Sequence, residues 1–256
     1  MRVAFIFKIL SLFCLFLSQV VSAHDLVDGA KKLKSSVVGI GTFDPLRAPV
    51  NKLVGTGFSI GNGYYIATNH HVIEIDMNES SNERLVVFWG EGNKPQILDA
   101  ELVVTDPAHD LAILRIERPI PPLPLSNAER LADGSHVAFT GFPLGAVLGL
   151  YPATHSGFIA AYTPVANPSN NASQLSQEML RRLRDPFFIY QLDATAYPGN
   201  SGSPVLDLNN MEVIGVLNKV FVKQTKESAI SDPSGISYAV PIPFLIDLYK
   251  TIKVEQ

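Results

Sequence analysis

Residues 106–124 read DPAHDLAILRIERPIPPLP. Asp106-Pro107 is a turn opener, Leu111–Ile116 is a short apolar run of strand type, and Pro119, Pro121, Pro122 and Pro124 then crowd into six positions. A proline lacks the N–H that a sheet ladder needs, so this segment is stiff, extended and outside any central strand. It divides the chain into a first half, 24–122, and a second, 123–256. Upstream, Ser36–Thr42, Thr56–Ile60, Tyr64–Thr68, Leu85–Trp89 and Gln96–Val104 are further β-type runs broken by Gly, Asn, Asp or Pro, with Asn62-Gly63 as a two-residue hairpin signal. Downstream, His136–Thr140, Ser156–Tyr162, Phe187–Ala194, Ser203–Leu206, Val213–Leu217 and Ile236–Val240 repeat the pattern. Apolar residues at helical spacing predict a short helix over Asp25–Lys34 and another over Ile242–Ile252, the latter with Phe244, Leu245, Leu248 and Ile252 on one face. The polar stretch Asn167–Arg184 allows a helix at Gln177–Leu183. The fold class is all-β. Short strands in two halves suggest paired barrels, although periodicity alone would also allow a sandwich.

Of 256 residues, 46% are hydrophobic and 17% charged, too apolar for a disordered chain. Twenty basic against 24 acidic residues leave a net charge of −4, which argues against nucleic acid as a partner. Residues 1–23 read as an export signal: Arg2 and Lys8 are basic, Ile9–Leu17 is apolar, and Val21-Ser22-Ala23 supplies small residues for cleavage before His24. The stretch is shorter than the roughly 20 apolar residues that span a bilayer. The expectation is a periplasmic or secreted protein with no stable membrane anchoring once the leader is removed. Cleavage takes away Cys14, the single cysteine, and shifts the balance to −6. The core then has no disulfide to lean on.

Gly199-Asn200-Ser201-Gly202-Ser203-Pro204 lies between two predicted strands. A serine between glycines on a tight turn exposes its hydroxyl and the neighbouring N–H groups. Acyl transfer needs both, the oxygen as nucleophile and the donors for an oxyanion. An ordinary Gly-Ser turn reads the same way. All six histidines (His24, His70, His71, His109, His136, His155) precede Ser201, which excludes the Ser…Asp…His order of the α/β-hydrolases. Rings of adjacent His70 and His71 on a strand end point apart, and no H-E-x-x-H or cysteine pair is present, which weighs against a metal. The reading calls for no cofactor.

Thr68-Asn69-His70-His71-Val72, Asp110-Leu111-Ala112-Ile113-Leu114 and Gly199-Asn200-Ser201-Gly202 resemble, in that order, the three active-site motifs of trypsin-fold serine proteases, specifically the HtrA/Deg-like branch. Thr154–Ala160 and Gly235–Pro241 are similar to further strands of that family. The resemblance implies two six-stranded antiparallel β-barrels with a short N-terminal and a C-terminal helix. It implies His71 as base, Asp110 as its orienting carboxylate and Ser201 as nucleophile, separated by 39 and 91 residues. Gly199, Asn200 and Ser201 would form the oxyanion hole. His70 and His109 would be solvated neighbours and Asp193 a structural carboxylate.

His70 departs from the family in replacing the usual Asn, and Ser203 in replacing a second Gly. Thr195 stands where a trypsin-type pocket carries Asp, and Leu217 where the glutamyl-endopeptidase branch carries His. A buried cation would lack a partner there. Thr195, Leu217, Asn218 and Ile236 are therefore expected to line a pocket for a small or medium apolar P1 residue. The chain ends soon after Pro241, so no PDZ domain is expected, and no trypsin-style activation sequence is found. The functional expectation is an exported serine endopeptidase acting on protein or peptide substrates. The competing reading is a catalytically silent trypsin-fold binding or scaffold protein. The oligomeric state is not encoded legibly.

Overall fold

The computed structural model describes residues 22–75, 82–92, 95–143, 149–165, 187–218 and 235–252. Helix α1 (Ser22–Ser36) leads into β1 (Val37–Phe43), β2 (Asn51–Ile60), β3 (Tyr65–Thr68), the single-turn α2 (His70–Ile73), β4 (Arg84–Trp89), β5 (Gln96–Asp106) and β6 (Leu111–Ile116). These strands close a barrel in the order β1-β2-β3-β6-β5-β4. After the proline segment come β7 (His136–Gly141), β8 (Ala153–Pro164), β9 (Phe188–Asp193), β10 (Pro204–Asp207), β11 (Val213–Asn218), β12 (Ile236–Pro241) and helix α3 (Ile242–Lys250). The second barrel runs β10-β11-β12-β9-β8-β7. Every pairing within the barrels is antiparallel. The two six-stranded barrels and both flanking helices are present; the stretch assigned to Gln177–Leu183 lies outside the described residues.

Strands β1, β3, β10 and β11 are buried on both faces, which is why they read as continuous apolar runs rather than as alternation. In β1, Val38 and Ile40 join Ile66, Val87, Leu114 and Ile116 in one cluster, while Val37 joins Phe58, Phe88, Val213, Val216 and Leu245 in another. The first cluster fills the first barrel. The second, shared by strands of both barrels and by Leu33 of α1 and Leu245 of α3, lies between them. The proline segment hands the chain across. Leu123 N–H donates to Ser59 O in the first barrel, and Val213 N–H donates to Pro124 O in the second.

Each helix straps onto the barrel it does not belong to in sequence. Gly29 of α1 lies against Met211 and Leu206 of the second barrel. Tyr249 of α3 packs edge-on against Tyr65 of the first, at 5.4 Å between ring centroids. A Cβ on Gly61 would collide with that Tyr249 ring.

Two expectations change. The hairpin after β2 is a four-residue turn, Gly61–Tyr64, not the two-residue form, because Gly61 and Gly63 both adopt left-handed conformations (φ +62° and +94°). Tyr64 thus belongs to the turn. Strand β2 also starts five residues earlier than predicted, at Asn51. Its first residues, Asn51, Lys52 and Leu53, pair with β1 beyond a bulge at Ile40/Gly41, where a side chain on Gly41 would strike Lys52 O. In α1, Leu33 is buried, whereas Val27 is exposed at a cleft of about 390 Å³ lined also by Ala30, Lys34, Thr154, His155 and Ser156.

Candidate active site

Asp110 closes the β5–β6 turn with φ +55°, a left-handed conformation that Asp tolerates better than most residues. That twist turns its side chain out of the ladder toward α2. Oδ1 accepts the His71 backbone N–H at 2.8 Å, and Oδ2 meets His71 Nδ1 at 2.6 Å. Asn218, arriving from the second barrel, donates its amide to Oδ2 at 2.7 Å. Two fixed donors, the His71 backbone N–H and the Asn218 amide, converge on this carboxyl, so the acceptor-only carboxylate is the form that fits. Against a carboxylate oxygen the Nδ1–H tautomer of His71 is the one that makes a hydrogen bond, and it presents Nε2 as the lone-pair nitrogen. The backbone completes the clamp, since Asp110 O accepts from His70 N–H at 3.2 Å and Asn69 Nδ2 at 3.1 Å.

Ser201 sits on the turn between β9 and β10, and its turn is gripped by the first barrel. Thr56 N–H donates to Ser201 O at 2.9 Å, and Thr56 Oγ1 donates to Gly199 O at 2.7 Å. Gly199 and Gly202 have φ of +98° and +87°. A side chain on Gly202 would run into Thr56 O. Gly55 lies between Val72, the neighbour of His71, and the Ser201 carbonyl, so no side chain separates the two loops there. Among the described residues no hydrogen bond joins His71 Nε2 to Ser201 Oγ.

Of the three expected oxyanion contributors, Asn200 spends its N–H on Tyr197 O at 3.0 Å. Its side chain is fully buried, with both amide atoms unpartnered among the described residues, and it faces inward. The N–H groups of Gly199 and Ser201 have no acceptor among the described residues. That pair is the one able to converge on an oxyanion.

Two of the four expected pocket residues have side chains engaged elsewhere in this structure. Leu217 is 1% exposed and packs in the core of the second barrel with Phe139, Ile159 and Tyr190. Strand β11 is buried along its whole length, so an apolar residue there is core before it is pocket wall. Asn218 is 1% exposed and its side-chain amide is engaged with Asp110. Ile236 is 44% exposed and pairs with Asp193 across β12 and β9, while half-buried Thr195 lies two residues beyond.

The remaining polar residues also differ from expectation. His109 is not simply solvated: its Nδ1 meets Asp106 Oδ2 at 2.6 Å and its ring stacks on Phe244 at 4.0 Å. His70 Nε2 pairs with Glu74 at 3.2 Å. Asp193 is exposed and its carboxylate has no hydrogen bond among the described residues, so it does not act as a structural carboxylate in this state. His155, which the sequence did not single out, stacks on Phe139 at 5.0 Å and lies 6.0 Å from Tyr197. Burial pushes its pKa down, favouring the neutral ring.

A trypsin-like peptidase domain model matches residues 55–216. A probable periplasmic serine endoprotease, DegP-like, of Halomonas elongata is 31% identical over 196 residues, covering 76% of this chain and 34% of that protein. One of the same name from Pseudomonas putida strain W619 is 27% identical over 203 residues, covering 79% and 35%. The chain thus spans about a third of the length of these curated relatives. Among solved structures, the active form of the Rv3671c protease of M. tuberculosis superposes with a TM-score of 0.62 at 26% identity, covering 89% of this chain and 85% of that one. Deg5 superposes with the same score at 24% identity, covering 90% and 95%.

Proposed function

The chain belongs to the trypsin-like peptidase family, and on that premise we propose that it is an exported serine endopeptidase acting on proteins or peptides. His71 takes the Ser201 hydroxyl proton as the oxygen attacks the scissile carbonyl, and then passes it to the leaving amine. Asp110 holds the Nδ1–H tautomer and stabilises the imidazolium. The N–H groups of Gly199 and Ser201 receive the oxyanion. Water then repeats the attack on the acyl-enzyme with His71 again as base. Residues 24–122 supply the base and its carboxylate, and residues 123–256 the nucleophile. P1 is a small or medium apolar residue, received beside Thr195 and Ile236. Export follows from the leader-like residues 1–23, and DegP-like relatives named as periplasmic support that direction.

The observation carrying this reading is the Asp110 carboxylate fixing His71 while two unspent N–H donors flank Ser201. A fluorophosphonate probe tests it. Labelling that vanishes in Ser201→Ala is the expected result, and an unlabelled native protein would overturn it. The alternative, a catalytically silent binding protein, draws on one observation, the missing hydrogen bond from Ser201 Oγ to His71 Nε2. Apo proteases commonly close that bond only with substrate bound, so the endopeptidase reading is favoured.

A further inference from the structure

Two Asp–His pairs lie side by side in the chain. Asp110 meets His71, and one position earlier His109 meets Asp106, each at 2.6 Å from Nδ1. The second pair does not touch the groups assigned to the chemistry. It builds the turn that delivers one of them. Asp106 Oδ1 accepts the N–H groups of Ala108 at 3.1 Å and His109 at 3.2 Å, while Oδ2 takes the His109 ring. That ring is held from outside the turn. It stacks on Phe244 of α3 with 22° between planes, and Phe187 meets it edge-on at 4.7 Å. Phe187 and Phe244 also touch each other, at 5.6 Å between centroids. The next residue is Asp110, whose φ of +55° is a left-handed conformation that Asp tolerates better than most L residues but that the surrounding contacts must hold. One side of the constraint comes from His70 N–H and Asn69 Nδ2 on the Asp110 carbonyl. The other side is His109.

We infer that His109 is a positioning residue for Asp110, and that α3 steadies the Asp110–His71 pair through the Phe244–His109 stack. The inference deepens the endopeptidase reading and rests on it for the kinetic consequence. The chemistry of the side chain explains why an imidazole stands there. A Phe would fill the slot between Phe187 and Phe244 but could not donate to Asp106. An Asn could donate but would leave the slot half empty. Only a flat ring with an N–H on its near edge does both. The effect propagates over two consecutive residues, because a small rotation at 109 changes the direction in which the 110 carboxylate leaves the backbone.

The test uses the full chain and four variants: His109→Phe, His109→Asn, His109→Ala and Phe244→Leu. Peptide turnover and the rate of fluorophosphonate labelling report function, and thermal melting reports the folded fraction. The proton resonance of His71 Nδ1–H reports the Asp110 hydrogen bond directly. In His109→Ala, kcat and labelling should fall about tenfold with KM within about twofold, because misaimed groups lose rate rather than ground-state binding. The His71 proton should broaden or move upfield, and His109→Asn should recover part of both. Phe244→Leu keeps apolar packing and should produce a smaller change of the same kind. Native kcat and an unmoved His71 signal in folded His109→Ala and His109→Phe would overturn the inference. So would a loss confined to KM, or one that merely tracks the folded fraction. If the native protein is not labelled at all, the endopeptidase reading fails, and the His71 resonance still decides whether His109 positions Asp110.

Discussion

Asn218 donates its side-chain amide to Oδ2 of Asp110 at 2.7 Å, across 108 residues of sequence and from the second barrel to the first. The carboxylate that orients His71 is therefore a joint product of both barrels. The Thr56 bonds to Gly199 O and Ser201 O run the other way, from the first barrel to the serine loop. Each half of the proposed machinery is fixed by a residue of the opposite half. This reciprocity ties the alignment of base and nucleophile to the interface between barrels.

Asn218→Ala removes a hydrogen bond to a charged, largely buried acceptor. Such bonds are worth about 1.5–3 kcal/mol, so kcat should fall roughly ten- to hundredfold if the bond is fully expressed in the transition state. KM should change little, because the amide faces Asp110 and not the cleft. Asn218→Asp should be worse, since it sets a second carboxylate against the first. Steady-state kinetics on one peptide substrate checks both. A variant with native kcat would show that Asp110 needs no help from the second barrel.

Thr56→Val keeps the shape and removes the hydroxyl that joins Gly199 O to Phe142 N–H. Both backbone groups lose a buried partner, and a cost of about 1–3 kcal/mol per unsatisfied group is expected. Urea denaturation should show the loss as a lower midpoint at unchanged slope. The labelling rate at Ser201 should fall further than stability alone explains, because Gly199 carries one of the two open donors. Thr56→Ser, which keeps the hydroxyl, should restore labelling.

The approach of His71 to Asp110 was legible through the resemblance of Thr68–Val72 and Asp110–Leu114 to the family's motifs, since a strand end and a turn before an apolar run do not by themselves pair an imidazole with a carboxylate 39 residues on. The strands were readable in runs such as Leu111–Ile116 bounded by Asp-Pro and proline, and the resemblance, not the periodicity, chose closed barrels over a sandwich. Asn218 was not, since nothing in Val213–Asn218 says that its last side chain reaches 108 residues back. The burial of Leu217 in the barrel core was hidden in the same way. In a strand buried on both faces, residue type cannot tell a pocket wall from core. His109 looked like a solvated neighbour because its partner rings, Phe187 and Phe244, are far away in sequence and arrive only with the strapping helix.

His155 supplies a pH test of stability. Burial lowers its pKa in the folded state below the ordinary value of 6.5, so below that pH the unfolded chain binds a proton that the folded chain refuses. Stability should therefore fall as pH drops from about 6.5 toward the depressed folded value, and level off below it with respect to this group. His155→Phe keeps a ring against Phe139 and cannot titrate. Its melting temperature should lose less over that window than the native protein's does. Equal losses would mean that His155 protonates as readily folded as unfolded.

Specificity gives the last prediction. With Leu217 in the barrel core and Asn218 on Asp110, the expected pocket residues left near the rim are Thr195 and Ile236. Neither carries charge, and a Lys, Arg or Glu side chain entering there would have to shed water without a charged partner in these two residues. A peptide library should accordingly be cut after small or medium apolar residues, with Ser201→Ala as the inactive control. Thr195→Asp places a carboxylate at the position where trypsin-type pockets carry one, and it should shift preference toward Lys and Arg through kcat/KM while slowing apolar substrates. A native preference for charged P1 residues would refute the pocket. A Thr195→Asp profile identical to the native one would show that residue 195 faces away from the bound P1 side chain.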